Sequence, residues 1–188
     1  MLGYGIFKKS DVEIEKELNR KGHEVIYKLK EEIFNLHNSI GLLEFMKSIK
    51  DEEIVGIREN RIRDTFLILK RENENSVVFS LRNQNNIRQF PDVYLKLTKN
   101  IVEDKQGEWH TVNYNVDIVD IQAIDKGHGN GKILIEEVIR YAKRHNFKTI
   151  TGIVTWDDKR STPWLTEFYR KNGFKLNKEE TSFVMYLR

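Results

Sequence analysis

Three glycines at alternate positions, Gly127, Gly129 and Gly131, stand where a β-rich run gives way to an amphipathic helix. The run before them, 109–124 (WHTVNYNVDIVDIQAI), is rich in β-branched and aromatic residues. After them, Ile135, Val138, Ile139 and Ala142 repeat at helical spacing. Glycine lets a backbone take positive φ and approach a ligand closely. A helix start offers unpaired amides and the positive end of the helix dipole. Together these make a seat for a phosphate or pyrophosphate, and Lys126 and Lys132 add positive charge on either side. Two familiar phosphate loops do not fit. A Walker loop would need a glycine at Lys126 and a Ser or Thr at Ile133, and a dinucleotide fingerprint counted from Gly127 would need a glycine at Lys132.

The rest of the chain predicts a mixed α/β (α+β) fold of 188 residues in a single domain. Residues 10–50 carry apolar positions at helical spacing and are expected to form three core-facing helices, with Gly22 as one stop. Residues 64–70 and 76–82 predict an antiparallel hairpin turning through 71–75, and 92–97 a third strand. The charged stretch 99–107 is expected to be a loop. Beyond the glycines come a helix to about His145, a strand at 149–156, a helix opening at Thr162-Pro163, and two short strands near 174–176 and 182–187.

Composition narrows the chemistry. The absence of cysteine excludes a disulfide scaffold, a thiolate metal site and a cysteine nucleophile. No histidines stand at ligand spacing, so no metal site is expected. The 32 basic and 29 acidic residues nearly balance, which speaks against nucleic acid as a partner. No apolar run approaches the roughly 20 residues of a membrane helix, and the first residues lack a secretory pattern. A soluble cytoplasmic protein with no membrane partner is expected.

The stretch from Lys126 to Gly131 resembles the acyl-CoA pyrophosphate loop of the GNAT superfamily of N-acetyltransferases, whose pattern is Gln/Arg-x-x-Gly-x-Gly/Ala between a strand and a helix. Lys126 stands where Gln or Arg is usual, keeping the charge but not the planar fork. A second match is Tyr169-Arg170-Lys171-Asn172-Gly173-Phe174, which resembles the family's late Tyr-x-x-x-Gly-Phe helix end. The resemblance covers residues 113–188, the acyl-CoA-binding and catalytic core, and reaches the helical 10–50 part only by element order.

The resemblance implies a GNAT-like mixed, mostly antiparallel sheet flanked by helices and splayed just before the glycine loop. It implies acetyl-CoA as co-substrate, no metal, and direct transfer of an acetyl group to a primary amine of a small molecule or peptide. Backbone groups near Ile121, Gln122 and Ala123 would pair with the pantetheine arm. The loop of Lys126, Gly127, His128, Gly129, Asn130, Gly131 and Lys132 would hold the pyrophosphate. Thr162 occupies a position where the family often has a pantetheine-contacting Asn, though its hydroxyl also suits a helix N-cap. Tyr169 would be the general acid for the departing thiolate. For the base, Asp117 is preferred over Asp120. Strand alternation puts the two on opposite faces unless a bulge intervenes. Two other readings are a non-catalytic acyl-CoA-binding domain and a protein-interaction module built on 10–50. A homodimer is compatible with each.

Overall fold

A computed structural model of the chain describes residues 9–84 and 90–187. The chain divides into two compact units, meeting in sequence between Ser48 and Ile49.

The described residues of the first unit form one helix, α1 (Lys9–Ser48), 40 residues long. The three core-facing helices expected from the sequence are thus a single one, and its apolar residues Ile14, Leu18, Ile26, Leu29, Ile33 and Leu36 are exposed rather than buried in a core. Gly22 does not stop it: this glycine keeps helical backbone, and no proline precedes Pro91. A lone glycine in a helix interior costs only about 1 kcal/mol against Ala, too little to break a run of Glu, Lys and Leu.

Among the described residues, the second unit is an eight-stranded sheet with three helices. Its elements are β1 (Glu53–Glu59), β2 (Thr65–Asn73), β3 (Ser76–Arg82), β4 (Asp92–Glu103), β5 (Trp109–Gln122), α2 (Asn130–Arg144), β6 (Thr149–Ile153), α3 (Trp156–Ser161), α4 (Leu165–Lys171), β7 (Lys175–Leu176) and β8 (Ser182–Tyr186). The strand order is β1-β2-β3-β4-β5-β6-β8-β7. Every pair is antiparallel except β5 with β6, which the α2 crossover makes parallel. Alternate residues of the strands, among them Phe79, Val93, Leu95, Val116, Ile118 and Ile150, pack with Leu134, Ile135 and Val138 of α2 into one core. Among the described residues, no helix is long and apolar enough to cross a membrane.

The predicted hairpin is present with a tighter turn, since Asn73 pairs directly with Ser76. β1, which the sequence reading missed, lines the free edge of β2. The charged stretch 99–107 is not a loop until residue 104: β4 and β5 remain paired out to Glu103 and Trp109. There, Asp104 Oδ1 accepts the amides of Gln106 and Glu108 and turns the chain. A two-stranded ribbon exposed on both faces tolerates charge at every position, so alternation gave no signal.

Two local features shape the end of β5. Between Ile118 and Asp120 the β4–β5 register shifts, leaving Val119 as the extra residue of a β-bulge. The parallel β5–β6 ladder ends at the same place, with Ile118 opposite Gly152. The sheet therefore opens after Ile118, three residues before the point expected from the sequence, because the bulge turns the end of β5 away from β6. It also reverses the facing of later residues. Asp117 pairs with Lys96 and Asp120 with Tyr94, two apart on β4, so both carboxylates lie on one face rather than on opposite ones.

Candidate active site

The opened strands, the glycine turn and the helices after β6 enclose a cavity of about 830 Å³. One wall is β5 from Ile118 to Ile121 with Ala123; the floor of one end is the turn and the start of α2; the far wall carries Thr162, Trp164, Phe168 and Tyr169. The sequence motifs separated by one strand are thus brought to one site.

At the turn, Ile124 and Asp125 both take left-handed backbone and the chain reverses. Gly127 and Gly129 follow at φ +91° and +96°, a region costly to side chains. Gly131 has ordinary helical φ and serves differently: a Cβ there would lie 3.2 Å from Ala123 Cβ and 3.4 Å from Phe168. Its hydrogen lets α2 start tight against the end of β5 and against α4. The amides of Gly129, Asn130 and Gly131 donate to no acceptor among the described residues. They open α2, whose first turn holds no acidic residue. The donor set suits an anion.

The turn is clasped from the N-terminal half of the sheet. Buried Asn60, just after β1, donates from Nδ2 to Asn130 Oδ1 at 3.1 Å, and Asn130 Nδ2 donates to the Ile124 carbonyl at 3.2 Å. Asn60 Oδ1 in turn accepts the amides of Ile62 and Asp64. Next to it, the Arg61 amide donates to the His128 carbonyl at 2.8 Å, and Arg61 lines the cavity. Asn60 and Arg61 were not among the sequence candidates. Nothing local in the sequence joins residue 60 to residue 130.

Of the sequence candidates, Ile121, Ala123, Lys126, Gly127, Gly129, Asn130, Gly131, Lys132, Thr162 and Tyr169 line the cavity. Lys126 Nζ crosses it to donate to Thr162 Oγ1 at 2.7 Å. Thr162 is the C-cap of α3 and precedes Pro163, and α4 begins three residues after it, at Leu165, with Trp164 as its N-cap. The N-cap role is therefore not the one Thr162 plays, and its hydroxyl is turned to the lysine. The other three candidates sit elsewhere. Gln122 donates from Nε2 to Asp120, His128 contributes its carbonyl to the clasp, and the Asp117 carboxylate accepts the Thr151 hydroxyl at 3.0 Å, none of them among the cavity-lining residues. Asp120 does line it, as does Asp158.

Tyr169 is 3% exposed. Its ring stacks on Phe183 at 3.8 Å between centroids and meets Phe168 and Phe174 edge-on. Burial pushes its hydroxyl pKa well above the usual phenol range, and the carboxylates of Asp158 and Asp120 push the same way. The side chain is thus a neutral proton donor fixed by aromatic packing. Tyr141 on α2 is raised likewise, by burial and by the Glu72 carboxylate that accepts its hydroxyl hydrogen at 2.8 Å. In the unfolded chain both phenols titrate near about 10. A raised folded-state pKa contributes stability that is complete below the unfolded value and is lost as pH rises through the folded one. Thermal melts should therefore show a transition temperature that declines once pH passes about 10, and the decline should be shallower in Tyr141→Phe. An equal slope in that variant would mean that other groups set the alkaline limit.

No protein-family model and no curated protein matches the chain. Among solved structures it is similar to a crystal structure of Arabidopsis thaliana NAA60 in complex with a bisubstrate analogue, at 14% identity and a TM-score of 0.44, covering 62% of this chain and 79% of that one. The mostly antiparallel sheet, the parallel β5–β6 pair that opens after Ile118, and the glycine turn leading into α2 make this a mixed α/β fold with the arrangement that the sequence resemblance implies.

Proposed function

We propose that the chain is an acetyl-CoA-dependent N-acetyltransferase that moves an acetyl group directly to a primary amine. The observation that carries the reading is the cavity itself: a wedge between two parted strands, with unpaired amides at one end and a buried tyrosine hydroxyl in its wall. A pantetheine arm holds two amides, and burying each unpaired would cost on the order of 1–3 kcal/mol. The parted ends of β5 and β6 supply backbone groups for them. The free amides of the α2 start, with Arg61, Lys126 and Lys132 around them, suit the diphosphate.

In this reading the amine nitrogen attacks the thioester carbonyl, a C–N bond forms, and the C–S bond breaks. Tyr169 delivers its proton to the leaving sulfur. The amine's proton goes to a carboxylate, and Asp120 takes that role in place of Asp117, since Asp120 lines the same cavity as Tyr169 and Asp117 does not. Holding the reactants together supplies much of the acceleration. Acetyl-CoA use also fits the cytoplasmic location expected from the sequence.

The test is release of free CoA thiol across a panel of small amines and peptides, a readout to which this cysteine-free chain adds no background. Turnover with at least one amine is expected. Asp120→Asn should slow it by about 10²-fold or more, as loss of a general base does, while Asp117→Asn should leave most of the rate. CoA binding without turnover of any amine would favour a binding domain. A larger loss in Asp117→Asn would return the base role to Asp117.

A further inference from the structure

The helix α1 bears a pattern that the catalytic reading does not use. Ile26, Leu29, Ile33, Leu36, Ile40 and Leu43 follow one another at steps of three, four, three, four and three. In heptad terms every a position is Ile and every d position is Leu, over three consecutive heptads. Upstream the pattern lapses at Gly22, a d position, and it ends at Lys47, the next a. All six residues are between 51% and 62% exposed. Leu42, Phe45, Met46 and Ile49, off this seam, are half-buried.

We infer that residues 26–43 form a parallel two-stranded coiled coil with a second copy of this chain. A stripe repeating every 3.5 residues matches a supercoiled partner rather than a flat surface. β-Branched residues at a with Leu at d are the packing that selects two parallel strands. The flanking positions agree: in register, Glu32 at g faces His37 at e of the other copy, Ser39 faces Glu44, and Val25 faces the stem of Lys30, so no like charges meet. The area is sufficient as well. Half-exposed Ile and Leu can each lose on the order of 100 Å² to a partner, and six of them with the flanking stems approach the roughly 800 Å² per side of a standard interface.

The experiment uses the full chain. Light scattering should give twice the 22.4 kDa chain mass, and Leu36→Glu should give the single mass. Because the chain has no cysteine, one introduced thiol reports orientation. Leu43→Cys should link to itself under mild oxidation, as facing d residues in a parallel pair come within disulfide reach. Glu31→Cys, on the outer face, should not. A monomeric wild-type chain, or a Leu36→Glu protein that stays dimeric, overturns the inference. So does a Leu43→Cys protein that links to Ile26→Cys in a mixture and not to itself, the mark of an antiparallel pair. Leu36 is 62% exposed, so its replacement leaves the folded units intact, and the cross-link is read on an otherwise native seam.

Discussion

Replacing Tyr169 with Phe is expected to slow acetyl transfer by about 10²–10⁴-fold, the usual cost of a lost general acid, while CoA affinity stays within a few-fold of wild type. The two parts separate because the ring and the hydroxyl do different work. The ring, 3% exposed, is held by Phe168, Phe174 and Phe183, and Phe at 169 keeps all three contacts. The hydroxyl lies at the cavity wall and donates to no acceptor among the described residues, so its removal leaves no orphaned partner inside the protein. With its pKa raised by burial, the hydroxyl stays protonated through the working pH range. The rate should therefore not fall on the alkaline side from its ionisation before about pH 10. Turnover and calorimetric CoA binding measured on the two proteins check this. A rate loss under about tenfold, a barrier change of roughly 1.4 kcal/mol, would make Tyr169 a packing residue from which the thiolate needs no proton.

Gly129→Val should weaken CoA binding by about 10–100-fold, equivalent to roughly 1.4–2.8 kcal/mol. Two effects add at this position. The backbone sits at φ +96°, where a β-branched side chain is most strained, and such strain costs on the order of 1–3 kcal/mol. A Cβ would also lie 3.3 Å from the Arg61 amide nitrogen, which its bond to the His128 carbonyl holds in place. The turn must then move, and with it the amides at the start of α2. Gly127→Val makes the comparison: its φ is similarly positive, but a Cβ there meets nothing within 4 Å. It should cost less. Equal and unchanged CoA affinity in both folded variants would remove the turn from the binding site.

The core motifs were readable because each depends on local chemistry. Alternating glycines mark a turn with positive φ at Gly127 and Gly129 and a close approach at Gly131, and the Tyr169–Phe174 helix end carries its own stop at Gly173. The strands from Thr65 onward announced themselves by β-branched runs bounded by turn residues, except for the charged outer part of β4. What escaped depends on contacts across the fold. Thr162 suits an N-cap by residue type, yet its place as the C-cap of α3 depends on the capping box that opens that helix, at Thr155 and Asp158. The facing of Asp120 depends on one extra residue in β5, and a bulge at Val119 leaves no mark in an alternating pattern. The Asn60–Asn130 bond joins positions 70 apart. In α1, a helical apolar stripe looks the same whether a core or another helix covers it; only exposure, read with the 3.5-residue period, separates the two.

The clasp on the glycine turn has a consequence for the order of folding. Its bonds reach from the first hairpin of the sheet to the start of α2, across the whole β2–β5 meander. Closing so long a loop is slow unless the intervening strands have already brought its ends together. Local hairpins such as β2–β3 and the β4–β5 ribbon can form early, but the turn takes its final shape only after β1 has docked on β2 and α2 has settled on the sheet. Any anion that binds at that turn, as the proposed function requires, therefore needs the completed second unit and finds no seat on a partly folded chain. A ligand held there binds the native state alone, and it raises the stability of the entire sheet in proportion to the logarithm of its concentration.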